Sequence, residues 1–131
     1  MKENWTLKDD LDCYLYRIKE LIKNFFENIK WFWQRGKRGY SDRDLWNLDE
    51  YLTDLFISAL RYLRKNHYGY PPLITDEEWN GILDKMIAGF VANKVIKNDS
   101  LNLNKKEIKL LQGKFKTGMA LLSEWYNYLW D

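Results

Sequence analysis

Apolar residues recur at Leu7, Leu11, Leu15, Ile18, Ile22, Phe25, Ile29 and Phe32, steps of mostly alternating four and three that trace one continuous stripe along a helix. Thr6 with Asp9 three positions on provides a start signal, so the spacing predicts a long helix from about Lys8 to Trp33, broken by Gly36 and Gly39. A second helix is predicted from Ser41, where "SDRD" sets a cap hydroxyl before two carboxylates. Its stripe reads Leu45, Leu48, Leu52, Leu55, Ala59, Leu63, and it ends near Asn66 because "NHYGYPP" brings a glycine and two prolines. A third starts at the capping box of Thr75 and Glu78 and runs through Trp79, Ile82, Leu83, Met86 and Phe90 toward Lys97, with "KNDS" as a loop. The fourth, capped by Asn104 with Glu107, carries Ile108, Leu111, Phe115, Met119, Leu122, Trp125 and Leu129 almost to the end.

No stretch alternates as a strand does, so the expected fold is all-α: four amphipathic helices in a bundle-like arrangement with a long N-terminal helix. At 131 residues, a single helical domain over 1–131 is the expectation. The first stripe equally suits a partner helix, so homo-oligomerisation stays open.

Composition changes this picture in two places. With 17% aromatic residues, including seven Trp and nine Tyr, the chain has more rings than one core of this size needs, so some must lie at the surface. The net charge of +2 gives no long-range field toward nucleic acid or anionic lipid, so any electrostatic function must be local. The single cysteine, Cys13, excludes an internal disulfide and suits a reducing compartment; the start lacks a signal-peptide core and no window reads as a membrane span. A cytoplasmic location, in a host cell if the chain is phage-encoded, is the natural expectation.

Candidate chemistry concentrates in "WFWQRGKRGYSDRDLWNLDEY". Arg35, Lys37 and Arg38 sit beside the start of a helix, whose free N–H groups also attract anions, and Arg43 follows. Tyr40, Trp46 and Tyr51, with Tyr68 and Tyr70 from the Pro-rich connector, are rings on which a base or ribose stacks. The competing account is that the rings close the bundle ends while Asp42 and Asp44 absorb the positive charge. Asp49, at the margin of the second stripe, wants a cation, and Arg35, Arg38 or Arg43 are the expected partners. The candidate ligand-binding set is therefore Arg35, Lys37, Arg38, Tyr40, Arg43, Trp46, Asp49 and Tyr70. No catalytic residue, metal or cofactor is assigned. Asp42, Asp44, Asp49, Glu77 and Glu78 lack the paired Glu-x-x-Glu spacing of Mg²⁺-dependent nucleotide hydrolases, and capping explains most of them. His67 has no nucleophile beside it and reads as a helix-end or loop residue; Cys13 reads as a packed thiol. Lys105, Lys106, Lys109, Lys114 and Lys116 make a basic face that suits phosphates or plain solvent.

The pieces "RGYSDRDLWNLDEYL", "GYP", "TDEEWNGIL" and the closing "LWD", in this order, resemble a family of small uncharacterised bacteriophage and prophage proteins. The resemblance covers roughly Phe32 to Phe90 and the last residues and brings no catalytic residue with it. It implies a small non-enzymatic binding protein, for instance one that counters host defence by sequestering a nucleotide-derived signal or other anionic ligand in the Arg/aromatic pocket. Alternatives are an accessory protein binding nucleic acid or a host protein, and a metal-dependent nucleotide hydrolase.

Overall fold

The computed structural model describes residues 7–130, in which helices dominate and no strand occurs. The predicted Thr6 cap and Asp131 lie outside them. Five α-helices follow in order: α1 (Leu7–Arg38), α2 (Asp42–Trp46), α3 (Leu48–Asn66), α4 (Asp76–Asp99) and α5 (Lys105–Trp125), with 3₁₀ turns at Ser100–Asn102 and Tyr126–Tyr128. The all-α expectation holds. The chain divides into two compact units, Met1–Asn47 and Leu48–Asp131.

Three boundaries differ from the sequence reading. Gly36 does not end the first helix, which continues to Arg38 and stops at Gly39, whose φ of +84° is the left-handed conformation that glycine takes without a Cβ penalty. The predicted second helix is two, because Asn47 (φ −132°, ψ 58°) leaves the helical region between α2 and α3. "KNDS" is not an open loop: α4 runs to Asp99 and a 3₁₀ turn takes over at Ser100.

In the second unit, α4 lies between α3 and α5, so its buried residues exceed one narrow stripe: Gly89 and Ala92 are buried as well as Trp79, Leu83, Met86 and Phe90. Trp79, Leu83, Met86 and Phe90 of α4 are buried, with Ile57 and Leu60 from α3 and Leu122 from α5. Phe90 joins the three helices: its ring stacks on Phe56 of α3 at 4.9 Å and meets Phe115 of α5 edge-on at 6.0 Å. Where α4 crosses α5, Gly89 faces Gly118, and a Cβ on Gly89 would sit 2.9 Å from the Gly118 Cα.

Of the predicted stripe on α3 only its end, Leu63, packs against the core. Thr53, Ile57 and Leu60 are buried with Phe56 and Leu63 against them, whereas Leu48, Leu52 and Leu55 of the expected stripe are exposed, as is Leu45 of α2. Two apolar faces compete on this helix, and contact with α4 selects the one bearing the Phe56 ring. Polar pairs then register α3 against α4: Lys97 Nζ donates to Asp49 at 2.6 Å, Lys94 Nζ to Asp54 at 2.6 Å, and Arg64 Nε to Asp84 at 3.0 Å.

His67, expected at a helix end or in a loop, directly follows the last residue of α3 and donates its backbone N–H to the Leu63 carbonyl. Its side chain is nearly enclosed, with Nδ1 3.1 Å from the Gly69 carbonyl and Nε2 2.8 Å from Asn80 Oδ1, tying the connector to α4. Cys13 is a correction. It is exposed, on a helix none of whose residues is buried, and lies on the side of α1 away from Leu11 and Leu15.

Candidate functional site

In the first unit, α1 turns into α2 through Gly39, Tyr40 and Ser41, and the turn is held by side chains from both helices. Ser41 caps α2 by accepting from the Asp44 N–H (3.3 Å), and the Asp44 carboxylate accepts from the Ser41 N–H (2.7 Å), a complete capping box. Arg35 reaches the same carboxylate with both arms of its guanidinium, Nε to Oδ2 at 2.7 Å and Nη2 to Oδ1. These bonds hold the buried Asp44 carboxyl well below the usual carboxylate range, first through Arg35 and then, against the opposing effect of burial, through Ser41.

Beside it, Gln34 forms a two-way clasp with Asp42, its Nε2 donating to the carboxylate (2.7 Å) and its Oε1 accepting from the Asp42 N–H (2.9 Å). Arg38 donates through Nη2 to Asp42 and through Nε to the Tyr40 carbonyl (3.0 Å). Its guanidinium carbon lies 4.7 Å from the centre of the Tyr40 ring. Arg38 and Gln34 together lower the Asp42 carboxyl below its ordinary range.

The candidate set is thus partly assembled and partly redistributed. Arg35, Lys37, Arg38, Tyr40, Arg43 and Trp46 all belong to this elbow, whereas Asp49 and Tyr70 belong to the second unit. Asp49 does not take the expected arginine: it is exposed and accepts from Lys97, which lowers its carboxyl. Arg35 and Arg38 instead serve Asp44 and Asp42, so the two strongest anion binders already hold carboxylates. Lys37 lies 5.6 Å from the centre of the Trp33 ring.

What the elbow does present is a groove of about 360 Å³ lined by Lys30, Trp31, Asp42, Arg43 and Trp46. The Arg43 guanidinium sits 5.0 Å from the centre of the Trp31 ring, and Trp46 is 88% exposed. Sequence reasoning missed Lys30 and Trp31. The signal was there in Trp31, an aromatic beside the apolar stripe of α1 rather than on it. A second groove, about 550 Å³ between α4 and α5, is apolar at Ala88, Leu110 and Gly113 and bears Lys85, Lys109 and Lys114. Among the described residues no group of three or more His, Cys, Asp or Glu is arranged to hold a metal ion.

The largest surface feature is α1 itself. None of its 32 residues is buried. Leu11, Leu15, Ile22, Phe25, Ile29 and Phe32 along its stripe are each exposed by between 46% and 79%, and Leu21, Phe26 and Trp33 widen the face. Among the described residues no helix is long and apolar enough to cross a membrane. Comparison with known protein families, curated proteins and solved structures finds no match to this chain.

Proposed function

We propose that the protein acts by binding, and that its working element is α1, which docks along the helix of another protein chain. The observation that carries this reading is a 32-residue amphipathic helix without one buried residue. Packing of an apolar face, rather than intrinsic propensity, supplies most helix stability in proteins. An apolar face that runs the length of the helix suits helix-on-helix burial. The polar side of α1 mixes Asp9, Asp10, Asp12, Glu20 and Glu27 with its lysines and arginines, unlike the uniformly basic face of a helix that lies on anionic lipid.

A photo-crosslinking residue at Phe25 tests this, with the same residue at exposed Tyr68 as control. A discrete protein adduct from Phe25 alone is the expected outcome. No adduct from Phe25, or association of the purified protein with phosphatidylglycerol vesicles that Phe25→Glu abolishes, overturns it.

A second reading rests on the elbow groove. Trp31 and Trp46 with Arg43 and Lys30 offer stacking surfaces beside positive charge, the chemistry that takes a planar anion such as a nucleotide, and this shifts the sequestration expectation from Arg35 and Arg38 to Arg43 and Lys30. Native mass spectrometry with a panel of cyclic and linear nucleotides tests it: an intact nucleotide retained by the protein and lost in Arg43→Ala supports the groove, and none retained excludes it.

A further inference from the structure

Resting on that docking reading, we infer that the occupant of the α1 face is a second copy of this chain, whose α1 lies antiparallel to the first. The heptad register of α1 places Leu15, Ile22 and Ile29 at one set of seam positions and Leu11, Ile18, Phe25 and Phe32 at the other. Charge is distributed unevenly along the same helix. Its start carries Asp9, Asp10 and Asp12, and its end carries Lys30 and Lys37 together with Arg35 and Arg38, which also hold Asp44 and Asp42. A parallel pair would set three carboxylates against three carboxylates. The antiparallel pair sets each acidic start against the other copy's basic end and opposes the two helix dipoles.

Side-chain size selects the same orientation. Centred between Lys23 and Asn24, the antiparallel register lays Leu15 opposite the partner's Phe32, Ile22 opposite the partner's Phe25, and Ile29 opposite the partner's Ile18. Rings then meet aliphatic chains, so the layers fill evenly, whereas parallel pairing stacks Phe25 on Phe25 and Phe32 on Phe32. The available area is sufficient. Phe25, Phe26, Phe32 and Trp33 are between 62% and 79% exposed. At ~150–250 Å² for a whole buried aromatic, these four rings offer on the order of 500 Å². Leu11, Leu15, Ile22 and Ile29 raise this toward the ~800 Å² per partner of a stable interface.

The native cysteine makes orientation measurable. Cys13 is exposed on the outer side of α1, away from the seam, and is the only cysteine of the chain, so one spin label per protomer reports the distance between copies. At 1.5 Å per residue, antiparallel pairing separates the two labels by more than ~30 Å along the axis, whereas parallel pairing holds them level, within ~20 Å. The expected result is a particle of twice 16.0 kDa by light scattering, with the long distance. Ile22→Glu with Phe25→Glu, two residues that fill no core, is expected to weaken the dimer at least ~100-fold with the melting of the second unit unchanged.

Each other outcome overturns something specific. A monomer at tens of micromolar excludes the second copy while leaving α1 open to a different protein. A dimer with the short distance excludes the antiparallel arrangement. A dimer that survives the double substitution but is lost in Leu52→Glu with Leu55→Glu moves the interface to the exposed side of α3 and takes the docking reading of α1 with it.

Discussion

Arg35 grips Asp44 across nine residues of chain, both guanidinium arms on both carboxylate oxygens, while the Ser41 N–H donates to the same carboxylate. The pair fixes where α1 ends and α2 begins. Asp44 is almost wholly buried and Arg35 is half exposed, so the arginine is the partner whose removal leaves an unsatisfied charge inside. Arg35→Ala is expected to destabilise the elbow by about 1–3 kcal/mol, seen as faster amide hydrogen exchange across Asp42–Trp46 with the melting of the second unit unchanged. Arg35→Lys restores only part of the protection, because an ammonium cannot form the two-armed contact.

The pH dependence of the elbow follows from the same carboxylates. Asp44 and Asp42 are both lowered from an ordinary value of 3.8. Above that value folded and unfolded forms are ionised alike and the bonds contribute in full; below it the unfolded chain takes up protons first, so stability falls with pH. Amide protection of α2 is therefore expected to be flat from about pH 8 to pH 5 and to decline below about pH 4. A decline already at pH 6 would contradict this account.

The crossing of α4 and α5 depends on two missing side chains. A Cβ on Gly89 would come within 2.9 Å of the Gly118 Cα and of the Lys114 carbonyl, backbone atoms that cannot rotate away. Gly89→Ala is expected to cost about 2–3 kcal/mol and lower the melting temperature by roughly 10 °C or more. Gly81, also within α4, has nothing within 4 Å of its would-be Cβ, so Gly81→Ala should raise stability by about 0.5–1 kcal/mol.

Leu73 offers a stabilising change by a different route. It is fully exposed and adopts φ of 74°, a left-handed conformation that a branched side chain resists, just before the Thr75 cap of α4. Leu73→Gly gives up no packing and is expected to add about 1 kcal/mol, measured as a shift of the urea midpoint.

The capping boxes were legible because they are local: Ser41 with Asp44, Thr75 with Glu78 and Asn104 with Glu107 each close within four residues of chain. Helix existence was legible for the same reason, since period and cap are properties of a short window. Gly36 misled because an isolated glycine costs a helix only about 1 kcal/mol, less than the surrounding turns recover.

The choice between two apolar faces of α3 was not legible. Leu48, Leu52 and Leu55 show as regular a period as Thr53, Ile57 and Leu60, and only the approach of Trp79, Leu83 and Phe90 on α4 decides which is buried. The candidate site divides in the same way. The sequence by itself placed Arg35, Lys37, Arg38, Tyr40, Arg43 and Trp46 together, because they lie within twelve positions of one another around a helix junction. Tertiary structure decided which charges remain available: Asp44 and Asp42 take Arg35 and Arg38, and Lys97, forty-eight positions away, takes Asp49. The physical reason is that helix formation and capping are set by neighbours along the chain, whereas charge pairing and burial are set by neighbours in space.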